Sequence, residues 1–166
     1  MTSRPAEPAV LRPHGLSLAL IHPQIAPNTG NLARLCVATG TALHLVRPLG
    51  FLLDDRKLKR SAMDYWPRLK FTVHDDLDAF LKATAGRRLR PCENGVGRCL
   101  WDADFRPDDV LLLGSETAGL PVALVERLAD AAVQIPQIPG ERCLNVSTAG
   151  GIVLFEALRQ CQHRCA

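Results

Sequence analysis

No run of apolar residues in this chain approaches the roughly 18 that a membrane-spanning helix needs. The best N-terminal candidate, Leu16-Ser-Leu-Ala-Leu-Ile21, has the length of a strand and follows a proline-rich stretch without a cleavage-like site. A cytoplasmic protein with no membrane partner is therefore expected. Cys36, Cys92, Cys99, Cys143, Cys161 and Cys165 include no Cys-x-x-Cys pair and have no histidine at zinc-finger spacing, so the expectation is reduced thiols and no metal. A Walker loop is missing, and so is a spacing that suggests a Ser/His/Asp arrangement. Gly95-Val-Gly97 lacks the third glycine and the strong preceding strand of a dinucleotide-binding turn, which argues against an NAD-type site.

What is present suits one α/β domain. At 166 residues with 47% hydrophobic content, the chain can bury one core of ordinary size but not two comfortable ones. Residues 1–15, with Pro5, Pro8 and Pro13, read as a mobile arm ahead of a single domain over 16–166. Formal net charge is only +3, but Arg56, Lys57, Lys59 and Arg60 form one basic cluster and Arg87, Arg88 and Arg90 another. Such clusters either track a phosphate backbone or form solvated surface, and charge alone does not separate the two.

From Leu16 onward, strand and helix patterns alternate. A buried strand at Leu16 to Ile21 leads through Pro23 and Pro27 to a helix from about Asn31 to Thr39, stopped by Gly40, and then to a strand at Ala42 to Val46. A short helix is expected near Asp55 to Met63, a strand at Phe71 to Val73 and a helix at Leu77 to Ala85. Val110-Leu-Leu-Leu113 is apolar throughout, as suits a strand covered on both faces. A helix follows Pro121, a last strand spans Ala132 to Ile135, and a helix from about Ser147 to Gln160 carries an Ile152-Val-Leu-Phe155 centre that is apolar all round. That composition calls for cover on both sides, most simply from a second subunit. Around Leu89, proline and charge replace β-branched residues, so a strand there is expected to be short or at an edge.

This order implies a mainly parallel sheet with helices on both faces, which binds ligands beyond the carboxyl ends of its strands. Three segments fall at such ends: Asn28-Thr-Gly-Asn-Leu-Ala-Arg34, Leu113-Gly-Ser-Glu-Thr-Ala-Gly-Leu-Pro121 and Arg142-Cys-Leu-Asn-Val-Ser147. Their polar residues, Asn28, Asn31, Arg34, Glu116, Asn145 and Ser147, make up the inventory of a site that orients substrates through hydrogen bonds. Each asparagine is equally open to a helix-capping role, and Glu116 to bonding a neighbouring segment.

These three segments, the last with Glu156-Ala-Leu-Arg-Gln160, closely resemble the three motifs of the knotted SPOUT methyltransferases. Pro48-Leu-Gly-Phe51, Asp54-Asp55 and Asp64-Tyr65 narrow the resemblance to the small branch that methylates the ribose of the wobble cytidine or uridine in certain leucine tRNAs. The resemblance spans about residues 16 to 160. It implies an α/β SPOUT fold with a C-terminal trefoil knot, S-adenosylmethionine as cofactor, a homodimer, and a tRNA anticodon stem-loop as substrate. Another tRNA or ribosomal RNA position, or an RNA-binding protein without turnover, are the competing readings.

Carried over by position, the cofactor loops would include Cys92, Gly114, Glu116, Gly119, Ile135, Cys143 and Leu144. The catalytic set would be Arg34 with Asn28, Asn145 and Ser147, and the RNA-binding set Arg56, Lys57, Lys59 and Arg60. A guanidinium stays protonated in proteins, so Arg34 is expected to stabilise a developing alkoxide or clamp a phosphate rather than act as a base. The chain departs from the family pattern at Phe155, where tyrosine is frequent, at Cys143 for serine and Thr148 for asparagine. It also lacks a Thr-Thr-Lys-Gly-like loop over Arg90 to Gly97.

Overall fold

A computed structural model describes residues 10–53 and 65–163. Parallel strands β1 (Ser17–Ile21), β2 (Ala42–Val46), β3 (Phe71–His74), β4 (Leu89–Pro91) and β6 (Val110–Leu113) form one sheet in the order β3-β2-β1-β6-β4. A second, two-stranded parallel sheet pairs β5 (Arg98–Cys99) with β7 (Val133–Gln134). The helices are α1 (Ala26–Thr39), α2 (Leu77–Ala83), α3 (Val122–Arg127) and α4 (Val146–His163).

Alternation along the central strands divides the core into two layers. Leu18, Leu20, Leu43, Leu45, Leu111 and Leu113 pack against Leu32, Ala33 and Cys36 of α1 and Val153, Leu154, Ala157 and Leu158 of α4. Ala19, Ile21, Val46, Val110 and Leu112 face the other way, onto Phe80 of α2 and Leu120 and Leu124 around α3. Full burial of each such leucine contributes about 1.5–3 kcal/mol, and a strand buried on both faces reads as a continuous apolar run for this reason.

Several boundaries differ from the sequence expectation. Helix α1 begins at Ala26, not Asn31, because Pro27 occupies its first turn, where the missing N–H has no intrahelical partner to lose. It ends as expected at Gly40, whose φ of 75° closes the left-handed cap. The strand expected around Leu89 forms as β4, three residues long and at the sheet edge, where Pro91 is tolerated. The segment expected as Ala132 to Ile135 shrinks to two strand residues in the minor sheet. The expected short helix near Asp55 to Met63 lies outside the described residues. So does most of the expected arm; from Arg12 on, the chain is fastened to the domain by Arg12 with Gln162, His14 with the Thr39 carbonyl, and the Gly15 N–H to the Pro107 carbonyl.

The second basic cluster is neither solvated surface nor a phosphate track. The Arg87 guanidinium donates to the carbonyls of Gly15 and Asp108 and to Ser17 Oγ. Arg88 pairs with Asp104 and with the buried Asp109 at 3.4 Å, and the buried Arg90 lies 5.2 Å from the Phe105 ring centre. These arginines bind the rim of the sheet together. Gln160 of α4 extends the same rim, accepting from the Phe105 N–H and donating to the Ala103 carbonyl and to Glu156.

Candidate active site

The chain leaves β1 toward α1 on one face of the sheet and leaves the adjacent β6 toward α3 on the other. Their carboxyl ends therefore diverge and open a crevice, the place where parallel sheets take ligands. A cavity of about 550 Å³ sits there. Its walls are Ile25 and Asn28 after β1, Cys92 to Asn94 after β4, Leu113 to Gly119 after β6, Ile135 and Gln137 after β7, and Cys143 to Val146 with Ala149 at the start of α4. All seven residues expected in the cofactor loops, Cys92, Gly114, Glu116, Gly119, Ile135, Cys143 and Leu144, line it.

One hydrogen-bond chain joins the three sequence segments. The Glu116 carboxylate accepts from the backbone N–H of Gln24 at 2.7 Å and of Ile25 at 3.2 Å, and from Asn28 Nδ2 at 3.0 Å. Asn28 Oδ1 in turn accepts from Asn145 Nδ2 at 3.0 Å. Asn145 Oδ1 caps α4, accepting from the N–H groups of Ser147 and Thr148 and from Ser147 Oγ at 2.6 Å. Asn28 is not a helix cap, since Ile25 holds that position; it is a buried link between Glu116 and Asn145.

The loop after β6 is built from glycine for steric reasons internal to it. A Cβ on Gly114 would fall 2.1 Å from the Gly119 carbonyl carbon and 2.2 Å from the Leu120 nitrogen, and Gly119 adopts φ 69°. Reciprocal bonds between Ser115 and Gly119 close the loop, and Glu93 clasps it from the β4 side by accepting from the Leu120 N–H at 3.0 Å. Glu93, Asn94 and Gln137 were not singled out from sequence. Glu93 was legible in part, as the only acid between Arg87 and Asp102.

Cys92 contributes a neutral wall, because burial pushes its thiol up to about 12. Asn94 Nδ2 approaches the exposed Cys143 Sγ at 3.8 Å. Cys36 is buried, Cys92 and Cys99 are half-buried and Cys143 is exposed, each as a free thiol, and Cys165 lies outside the described residues. Among the described residues, no group of three or more His, Cys, Asp or Glu side chains has the arrangement of a metal site, and no helix is long and apolar enough to cross a membrane.

Arg34 and Ser147 do not line the cavity. Ser147 is engaged with Asn145, while Arg34 lies on the exposed stripe of α1 with Asn31 and has its guanidinium carbon 5.1 Å from the Tyr65 ring centre. Arg56, Lys57, Lys59 and Arg60 lie outside the described residues.

Residues 15–155 match the model of the SpoU rRNA Methylase family. The chain belongs to that family. Its SpoU relatives include the tRNA (cytidine(34)-2′-O)-methyltransferase of Burkholderia pseudomallei strain 1106a, 45% identical over 148 residues, 87% of this chain and 94% of the relative. A structure solved to study 2′-OH methylation of C/U34 on tRNA superposes with a TM-score of 0.85 at 42% identity, covering 89% of this chain and 96% of the other. The SpoU methyltransferase AviRb of Streptomyces viridochromogenes, solved in complex with the cofactor AdoMet, matches with a TM-score of 0.79 at 28% identity, over 91% of this chain and 59% of its own.

Proposed function

We propose that this chain is an S-adenosylmethionine-dependent methyltransferase acting on the ribose 2′-oxygen of the wobble cytidine or uridine of tRNA, with leucine tRNAs as the expected substrates. The single observation that carries this reading is the cavity at the divergence of β1 and β6, walled by all three motif segments and joined by the Glu116–Asn28–Asn145 chain. It agrees with the activity of relatives that share nearly the whole chain length.

The cavity fits the cofactor. Its volume lies in the ordinary small-molecule range of about 300–1,000 Å³, and its walls include the loops Gly114–Gly119 and Cys143–Asn145, suited to gripping an adenosine and a methionine part. The Gly114, Gly119, Ile135 and Leu144 segments would hold the cofactor, and Glu116 would keep their loops in register. When bound, S-adenosylmethionine supplies an electrophilic methyl group on its sulfonium. Arg34 then has the task of orienting the ribose hydroxyl and stabilising negative charge as it develops on the 2′-oxygen.

In this reading the exposed apolar residues Ile152 and Phe155 of α4 form the seam of a homodimer. The C-terminal segment is threaded as a trefoil knot, and the anticodon stem-loop is the bound part of tRNA in the cytoplasm. Transfer of a labelled methyl group to unmodified bulk tRNA, followed by nuclease digestion, tests the reading. A 2′-O-methylated cytidine or uridine at position 34 is expected; no incorporation with cofactor binding intact overturns it. Arg34→Ala is expected to lower kcat by about 10²–10³-fold while leaving cofactor affinity unchanged.

A further inference from the structure

Tyr65 sits between two arginines. The guanidinium carbon of Arg34 lies 5.1 Å from its ring centre and that of Arg68 lies 5.3 Å from it, both within cation–π range. Arg34 comes from α1 and Arg68 from the short 3-10 turn Trp66–Arg68 that follows Tyr65, so the ring joins two elements far apart in sequence. Neither arginine has a carboxylate partner among the described residues, in contrast with Arg47, Arg88, Arg106 and Arg159.

Two like charges on one half-buried ring repel each other, and exposed arginine side chains lose considerable rotamer freedom when they are held. The electron-rich ring face offsets part of both costs without neutralising either charge, as a carboxylate would. Among the described residues the pair is therefore left available to a polyanion. Trp66 packs against Phe71 with ring centres 4.8 Å apart, which anchors the turn that carries Tyr65 and Arg68. Arg34 lies six residues beyond Asn28 on α1, or about 9 Å further along the helix axis.

We propose that Tyr65 is a positioning residue. It holds Arg34 toward the reacting ribose and Arg68 toward an RNA phosphate, so that one ring aligns the catalytic cation with the substrate backbone. The inference rests on the role given to Arg34 above. It concerns a residue that touches neither cofactor nor reacting atoms.

Steady-state methyl transfer to tRNA with wild type, Tyr65→Leu, Tyr65→Phe, Arg34→Ala, Arg68→Ala and the Arg34→Ala/Tyr65→Leu double variant tests it, with S-adenosylmethionine affinity and thermal unfolding measured for each. Tyr65→Leu is expected to lower kcat about 10-fold with cofactor affinity unchanged, and Tyr65→Phe, which keeps the ring, to restore the wild-type rate. In the Arg34→Ala background, Tyr65→Leu is expected to cause no further loss of kcat. Arg68→Ala is expected to raise KM for tRNA and to flatten its dependence on salt, with kcat retained.

A Tyr65→Leu protein that unfolds early but loses kcat equally with and without Arg34 would show a merely structural ring and overturn the proposal. Wild-type kcat in Tyr65→Leu overturns it as well, while leaving Arg34 in place. If Arg34→Ala itself keeps full rate, the reading of Arg34 fails instead. Should any of the variants prove too unstable to assay, Tyr65→Trp, which retains a π face, takes the place of the phenylalanine rescue, and its failure to restore rate counts against the ring.

Discussion

Glu116 shows how one side chain can organise a site without touching the chemistry. It satisfies two loop N–H groups and the buried Asn28 amide, and through Asn28 it reaches Asn145 at the head of α4. Glu116→Ala leaves the amide of the buried Asn28 without this acceptor, and a lost partner of a buried donor costs about 1–3 kcal/mol. The expected result is a destabilisation of that size in denaturant unfolding, with weaker S-adenosylmethionine binding by calorimetry. Unchanged cofactor affinity would show that the loops keep their register without the carboxylate. The residue was legible in sequence only as a candidate, since a loop glutamate is equally often solvated. Its role became definite when the β1 and β6 loops were seen side by side.

Elements carry constraints of their own, and the β2–β3–α2 face carries a pH dependence. His44 Nδ1 lies 3.0 Å from His74 Nε2, and both rings meet Phe80 edge-on. Burial, with the neighbouring His74 and Arg87 charges, lowers His44 from its ordinary 6.5 to about 4, and burial lowers His74 despite the opposing effect of Asp75. The fold therefore holds His44 neutral while the unfolded chain takes up a proton first. Its contribution to stability is complete above pH 6.5 and falls as pH drops from 6.5 toward 4. His44→Leu is expected to flatten that decline relative to wild type when urea unfolding is measured at pH 7, 6 and 5. Parallel pH curves for the two proteins would remove this pair from the account. Sequence periodicity placed β2, β3 and α2 well, but nothing in it put these two histidines on one face of neighbouring strands.

At the scale of the whole molecule, the all-round apolar character of α4 resolves into two faces. Val153, Leu154, Ala157 and Leu158 are in the core, whereas Ile152 and Phe155 stay exposed at 39% and 54%. In the proposed homodimer these two are covered, so Phe155→Asp is expected to shift sedimentation from dimer to monomer and to lower methyl transfer with it. A variant that remains dimeric would place the subunit seam elsewhere. The alternation of apolar runs with glycine and proline determined the parallel α/β architecture, because strands buried on both faces and helices with one buried stripe leave distinct periods in the chain. The motif segments pointed to the loops that wall the cavity. Only the tertiary structure decided that Glu93 clasps the Gly119 turn, that Arg87, Arg88 and Arg90 bind the sheet rim, and that Arg34 stacks on Tyr65. Each of these is a contact between segments distant in sequence, and such a contact depends on the order in which strands are laid into the sheet, which local pattern does not encode.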